Sequence, residues 1–401
     1  MFKRLSILTS LIIVLMAFAV PALAQDHAVP DGPFTTGTQE VKLEALHSYD
    51  ELVKALAQLE KNSQGEVRLE VIGQSNLGRD IYMVSVGHGP DNVVIITQQH
   101  GGEPHGTEAV LNLIQNLGSS GRPEFKQIRE QLTVNIIPRV NPDGAEMWWR
   151  ENVDPDAPRP RGEALGHPEL GRLNNETYGV YSSQGRGWDL NRFHFIDWTT
   201  SPMFFWFGDL YPENPGTESA LVAQTVANMD PLPLWFIDVH NQSSNIDPDG
   251  TLVYFSLDTA HMTNDWDTDL TYPVVQEAAK LLVIINDHTS QYQNVGVSRY
   301  GAPSAYAGRS RNQYMQVLDI PGILIEMRGM GQKSVGHINR LCYGNLFAVL
   351  NATVDGTLYD VDWTRISEIP NGTRYRKRLP ASWYNEEAEV AVEEEEGEIE
   401  E

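Results

Sequence analysis

The chain carries 54 acidic and 29 basic residues in 401, a formal net charge of −25 and a sequence pI of about 4.7. That balance argues against nucleic acid or an anionic membrane surface as a partner. A single cysteine, Cys342, excludes an intrachain disulfide and a cysteine-built metal site; in NRLCYGNLF it reads as a small packed hydrophobe.

Residues 1–24 read as a signal peptide: Lys3 and Arg4, an apolar run Leu11–Val20 too short to span a bilayer, then Ala22-Leu23-Ala24 as the cleavage site. Cleavage after Ala24 implies export, to the periplasm or outside the cell, with no membrane attachment afterwards. Residues 25–40 form a short polar leader, and no long globular pro-segment fits before the first helix. Ser48 to Glu51 is a capping box, followed by Leu52, Leu56 and Leu59 at helical spacing. Val67–Ile72 and Ile81–Val86 predict a strand pair joined by the turn-rich GQSNLGRD. Val93–Ile96 predicts a buried strand that delivers HGGEPHG as a glycine-rich turn. Thr107 is expected to cap the next helix, with Val110, Leu111, Ile114 and Leu117 on one face and Gly118 past its end.

Three more continuous apolar runs, Val134–Ile137, Leu234–Val239 and Ile323–Ile325, alternate with helical segments around Ser219–Met229 and Val274–Ile285. Continuous runs mark strands buried on both faces. The expected fold is therefore α/β: a single domain over 41–358 with a mixed, largely parallel twisted sheet and helices on both faces. Residues 151–187 read as a large loop, and MFFWFGDLYP (203–212) as packing beneath it. Periodicity is lost near Asp360. Residues 359–401 are expected to be an extension ending in a disordered acidic tail, with ten glutamates between Glu386 and Glu401.

The chemistry-bearing residues fall just past the ends of those runs: His100 with Glu103, then Asn141-Pro142-Asp143-Gly144, His240 and Glu326. Open α/β sheets build their sites there. His100, Glu103 and His240 are a donor set suited to one catalytic Zn2+, which keeps a fourth position for water; cobalt or manganese suit the same donors in vitro. Zinc lowers the pKa of its water to roughly 7, and Glu326 is the candidate general base. Arg150, in WWRENV, is the candidate cation for the developing oxyanion, with Arg159, Arg161, Arg172 and Arg186 as rivals in the loop. Taken singly, each has a plainer reading: His100 as a turn residue, Arg150 as a stack on Trp148 or Trp149. Their coincidence at four strand ends favours a site. His105 reads as a loop residue, and His194, His261, His288 and His337 as structural or exposed.

In this order the motifs resemble the M14 zinc carboxypeptidases over residues 41–355. The resemblance runs through GQSNLGRDIYMVSVG, HGGE, NPDG, Arg150 with Asn152, Gly187-Trp188-Asp189-Leu190-Asn191-Arg192, Pro212 to Glu218, DVH and IEMRG. It implies an exported zinc peptidase that removes C-terminal residues from peptides with a free carboxylate. It also implies that Asn191 and Arg192 bind that carboxylate and that Asp189 orients His100. A tyrosine should close over the substrate: Tyr306 fits best, with Tyr300 and Tyr314 open. Arg309 and Arg311 follow in the specificity stretch, and either one lining the pocket implies preference for an acidic terminal side chain. Sister activities on this scaffold, cell-wall peptide hydrolysis or deacylation of N-acyl amino acids, share the same residues. A non-catalytic peptide-binding relative should have lost a ligand or the base, and none is missing.

Overall fold

The computed structural model describes residues 46–371 apart from 155–156, 158–186, 243–244, 247–251, 293–294, 302 and 329–334. The signal peptide, the leader, most of the 151–187 loop with Arg159, Arg161, Arg172 and Arg186, and the acidic tail lie outside the described residues.

The first helix, α1 (Tyr49–Asn62), starts as its capping box dictates: Ser48 Oγ accepts from Glu51 N and the Glu51 carboxylate accepts from Ser48 N. The strands β1 (Val67–Gln74) and β2 (Asp80–Val86) pair antiparallel from Val67↔Val86 to Gln74↔Asp80. At the centre of the sheet lie four strands in the order β4 (Leu132–Ile137), β3 (Asp91–Thr97), β5 (Phe236–Asn241) and β9 (Gly322–Met327), all mutually parallel. β2 joins β4 antiparallel. On the other flank β7 (Leu252–Thr259) runs antiparallel to β9 and carries β6 (Asn245–Ile246) and β8 (Gly296–Arg299). The mixed sheet is the expected one, and the apolar runs locate its parallel centre.

Side-chain alternation explains why those runs are continuous, because each central strand feeds two cores. Val93, Ile95, Val134, Ile136, Ile237, Val239, Ile323 and Ile325 enter the larger core. That core is completed by α1, α2 (His105–Ser119), α3 (Pro123–Gln131), α8 (Pro273–Thr289) and α10 (Val335–Val354). Val94, Ile96, Ile137 and Phe236 point the other way, against α6 (Thr217–Ala227) and α9 (Ser310–Leu318). Cys342 packs in the larger core, where burial pushes its thiol up to about 12. Shorter helices are α4 (Pro142–Met147), α5 (Pro202–Phe207), α7 (Trp266–Asp269) and α11 (Thr357–Asp360). Among the described residues no helix is long and apolar enough to cross a membrane.

Two expectations need correction. Thr107 does not cap α2, which begins at His105 behind Pro104; the Thr107 hydroxyl lies inside the helix, 2.6 Å from Pro138 O and 2.7 Å from Gln98 Oε1. Nor does the folded part stop at 358. A 3₁₀ turn over Trp363–Glu368 places Ile366 and Ile369 in the larger core, and Arg365 binds Asp287 of α8 at 2.9 and 2.7 Å. So short a turn shows no 3.6-residue period, which is why the sequence pattern fades there. Replacing Ile369, fully buried, with alanine should cost about 2–5 kcal/mol in urea denaturation. A solvent-exposed extension would show no loss.

Candidate active site

The turn after β3 is held in a shape that the sequence only partly announces. Gln98 takes a left-handed φ of 51°, and its side chain accepts from Arg139 Nε at 2.7 Å and donates to Gly101 O at 2.9 Å. A Cβ on Gly101 would lie 2.0 Å from the carbonyl carbon of Gly144, so only glycine fits where the turn meets α4. The N–H groups of Gly101 and Gly102 donate to Arg150 O and Trp149 O at 3.3 and 3.1 Å. The turn therefore carries both its own side chains and the segment bearing Arg150.

His100, Glu103 and His240 converge. The Nδ1 atoms of His100 and His240 lie 3.0 Å apart, and each is 2.9 Å from an oxygen of Glu103. All three residues are buried, and one ligand atom from each lies within 4.8 Å of the others. Donors held by bonds of about 2.0–2.1 Å on a tetrahedron are about 3.3 Å apart, so this cluster needs only slight opening to hold a zinc-sized ion. Burial works against the charge of Glu103, yet the two imidazoles hold its carboxyl below the usual carboxylate range.

Each ring's outer nitrogen meets a carboxylate. His100 Nε2 lies 3.0 Å from Asp189 Oδ1 and His240 Nε2 lies 3.1 Å from Asp238 Oδ1. Such partners fix the ring orientation and leave Nδ1 for a metal. Asp189 was expected in this place. Asp238 was not, although its spacing two residues before His240 on one strand puts both on the same side of the sheet. A buried aspartate inside LWFIDVH also requires a partner.

Glu326 sits beside the cluster because β5 and β9 are parallel and in register, with His240 opposite Glu326. It is 9 % exposed, and burial pushes its carboxyl up to about 7 against the pull of His240. Arg150 reaches the same place: Nη1 donates to Glu103 Oε1 at 3.2 Å, and Nε and Nη2 donate to Asp189 Oδ2 at 3.2 and 3.1 Å. Its side chain remains 47 % exposed. Burial opposes its charge, but Asp189, Glu103 and Glu326 raise its pKa.

The segment after Asp189 packs against the turn before α9. Asn191 Oδ1 accepts from Ser310 N at 3.1 Å and its Nδ2 lies 3.3 Å from His240 Nε2. Arg192 donates to Asn191 O at 2.8 Å, and the Tyr306 hydroxyl donates to Arg192 O at 3.0 Å. Tyr306 is therefore at the site and half-buried. Tyr314 is fully buried, bonded to His194, and cannot close over a substrate. The two arginines part company. Arg311 is 1 % exposed and donates to Asp258 Oδ2 at 2.6 Å and to Thr259 O at 3.0 Å. Its charge is thus paired inside the fold, which removes it from the two arginines expected as candidates for the specificity pocket. Arg309 is half-buried and makes no ion pair with any described residue. Burial and the charges of Arg311 and Arg192 push it down to about 10.

The match to known proteins follows the same residues. The family model described as zinc carboxypeptidase, Peptidase_M14, covers residues 52–344. The chain belongs to this family. A zinc carboxypeptidase of Saccharothrix mutabilis subsp. capreolus is 29% identical over 127 residues, covering 28% of this chain and 29% of that relative. Human carboxypeptidase Z is 24% identical over 205 residues, 48% of this chain and 30% of that protein. The chain thus spans about a third or less of these curated relatives. Among solved structures, carboxypeptidase A of Helicoverpa armigera superposes with a TM-score of 0.53 at 16% identity, covering 79% of this chain and 75% of that one. A metallo-carboxypeptidase of Burkholderia cenocepacia gives 0.52 at 15%, covering 78% and 70%. These superpositions establish the fold, a zinc carboxypeptidase fold.

In this family member a buried acid supports the Arg150 segment. Glu218, in the first turn of α6, is fully buried and accepts from Asn152 Nδ2 at 2.8 Å. Asn152 Oδ1 in turn accepts from Trp188 N at 2.8 Å. Burial raises the Glu218 carboxyl to about 7, well above the ordinary glutamate range. A raised folded-state pKa means that the protonated form stabilises the fold below about pH 4.5, a contribution lost as pH rises through about 7. Glu218→Gln should therefore gain about 2–3 kcal/mol relative to the unsubstituted protein between pH 5 and pH 8. A pH-independent difference in urea denaturation would contradict this.

Proposed function

We infer that this chain is an exported zinc metallocarboxypeptidase that hydrolyses the C-terminal bond of peptides bearing a free carboxylate. The observation that carries the reading is the convergence of His100, Glu103 and His240 with Glu326 in register beside them. Zinc held by the three ligands would supply positive charge to acidify an attacking water and polarise the scissile carbonyl. Glu326 has the place and the raised pKa to take a proton from that water as its oxygen bonds to the carbonyl carbon. The same carboxyl then returns the proton to the departing amine as the C–N bond breaks. Arg150, part-exposed beside the cluster, is the cation we assign to the oxygen that becomes negative. Asn191 and Arg192 are the residues we assign to the terminal carboxylate, and Tyr306, bonded to Arg192 O, to covering it. Export rests on the signal-like residues 1–24.

Arg309 supports a finer reading of the substrate. It lies between Gly308, whose carbonyl accepts from His194 N at 3.0 Å, and Ser310, whose N–H donates to Asn191. It therefore adds a second cation next to Arg192. With Arg311 neutralised by Asp258, Arg309 is the residue we assign to an acidic terminal side chain.

Peptides with free and amidated ends, incubated with and without a chelator and read by mass spectrometry, test the main reading. Stepwise loss of single C-terminal residues, blocked by amidation and by the chelator, is expected. Internal cleavage indifferent to amidation would reject it. Glu326→Gln should retain zinc by elemental analysis while turnover falls about 10²–10⁴-fold. Arg309→Ala should lower kcat/KM for peptides ending in Asp or Glu about 10–100-fold, as expected for a charged hydrogen bond, and spare those ending in Leu. Equal loss on both would remove Arg309 from substrate selection.

A further inference from the structure

The turn that carries His100 and Glu103 contains a residue that backbone chemistry alone would not select. Gln98 sits at a φ of 51°, in the left-handed region that glycine enters freely and a residue with a Cβ enters at a cost. It is 2 % exposed, so its side chain has left water as well. Strained residues of this kind persist where their surroundings over-determine them, and they collect at functional sites.

The surroundings of Gln98 are a full set of hydrogen bonds. Its Oε1 accepts from Arg139 Nε and from Thr107 Oγ1, each at 2.7 Å. A guanidinium has donors only, so the amide oxygen must face Arg139 and the amide nitrogen must point the other way. There Nε2 donates to Gly101 O at 2.9 Å. Pro138 O, which Thr107 also approaches, accepts from Thr97 Oγ1 at 2.5 Å, and this leaves the Thr107 proton for Gln98. Arg139 is fixed in turn: it is buried, its Nη2 donates to His47 O at 2.6 Å, and its Nη1 lies 3.7 Å from Glu146 Oε1.

The side chain of Gln98 therefore ties the end of β4 and the start of α2 to Gly101, the residue that directly follows His100. On the main chain, Gln98 O accepts from Asn141 N at 3.1 Å, while Gly101 N and Gly102 N hold Arg150 O and Trp149 O. We propose that Gln98 is the positioning residue that locks this turn, so that His100, Glu103 and the segment bearing Arg150 are placed as one unit. The inference rests on His100 and Glu103 being metal ligands. Asn191 is held elsewhere, against Ser310 N, so the lock governs the metal and the oxyanion cation but not the reading of the terminal carboxylate.

Gln98→Gly separates the lock from the backbone shape, because glycine adopts the same φ without strain and has no side chain to bond. The variant should fold, as read by urea denaturation. Its zinc affinity, from competition with a chelator, should fall about 10–100-fold, and the visible spectrum of bound Co2+ should change. With zinc saturating, kcat should fall while KM holds. In the metal-free protein the Gly101 and Gly102 amides should exchange faster than in the unsubstituted chain. Thr107→Val removes one donor to Gln98 and should lower zinc affinity about 5-fold, the worth of one hydrogen bond. Unchanged zinc affinity and an unchanged Co2+ spectrum in folded Gln98→Gly overturn the proposal. If the glycine variant does not fold, unchanged affinity in Thr107→Val overturns it instead. If the unsubstituted protein takes up no zinc, the metal reading fails first, and amide exchange at Gly101 and Gly102 alone decides whether Gln98 locks the turn.

Discussion

The site depends on one constraint: charges set at the ends of apolar strands must find partners there, because isolated buried charge is too costly to keep. Glu103 meets it by lying between His100 and His240, and Asn241 N adds a third donor at 3.0 Å. Asp189 is held between His100 and Arg150, and Asp238 between His240, Gln99 and Ser310. Each anion that binds the cluster is thus tied to a ring or a guanidinium that also belongs to it. Glu326 is the exception. No described residue gives its carboxylate a hydrogen bond, and burial raises its pKa. A carboxyl left unsatisfied among satisfied ones is suited to exchanging a proton.

That constraint also explains what was legible. The four central strands show as unbroken apolar runs because both their faces are covered, and the runs give way to polar residues at their ends, His240 and Glu326 being the last-but-one residues of β5 and β9. His100, His240 and Glu326 follow from that alone. Asp189 was readable only through a local motif, since nothing in its own spacing links it to a residue 89 positions earlier. Asp238 and Gln99 sit next to the ligands in sequence, yet a single polar residue inside or after an apolar run looks the same whether it is bonded or not. His194, taken as structural or exposed, is buried against Gln99 and Tyr314. Its partners come from strand and helix segments 95 and 120 residues away, which no local pattern can pair. Thr107 and the 3₁₀ turn at Trp363–Glu368 were misread for a different reason: competing hydrogen bonds and short irregular turns override local propensity.

The two arginines before and within α9 show how context assigns opposite roles to one residue type. Arg311 belongs to a closed network, in which Asp258 also binds His261 at 2.9 Å and His261 binds Asp269 at 2.7 Å. Two carboxylates, one guanidinium and an imidazole whose pKa is raised by Asp258, in spite of burial, balance without any external ion. Arg309 makes no ion pair with a described residue; burial and the charges of Arg311 and Arg192 oppose its charge, and Asp258 supports it from a distance.

His100 and His240 come from segments 140 residues apart, joined by the pairing of β3 with β5 and by hydrogen bonds from Asn241 N to Glu103 and from Gln99 to Asp238. A cluster so assembled is as stable as the sheet beneath it, and the sheet is richly packed. The approach from outside is built differently: Arg150 hangs from the glycine turn by backbone bonds, and Tyr306 from the carbonyl of Arg192. His240 is set by a strand, whereas His100 and Glu103 sit on the same glycine turn that holds Arg150, so a shift of that turn would move all three together.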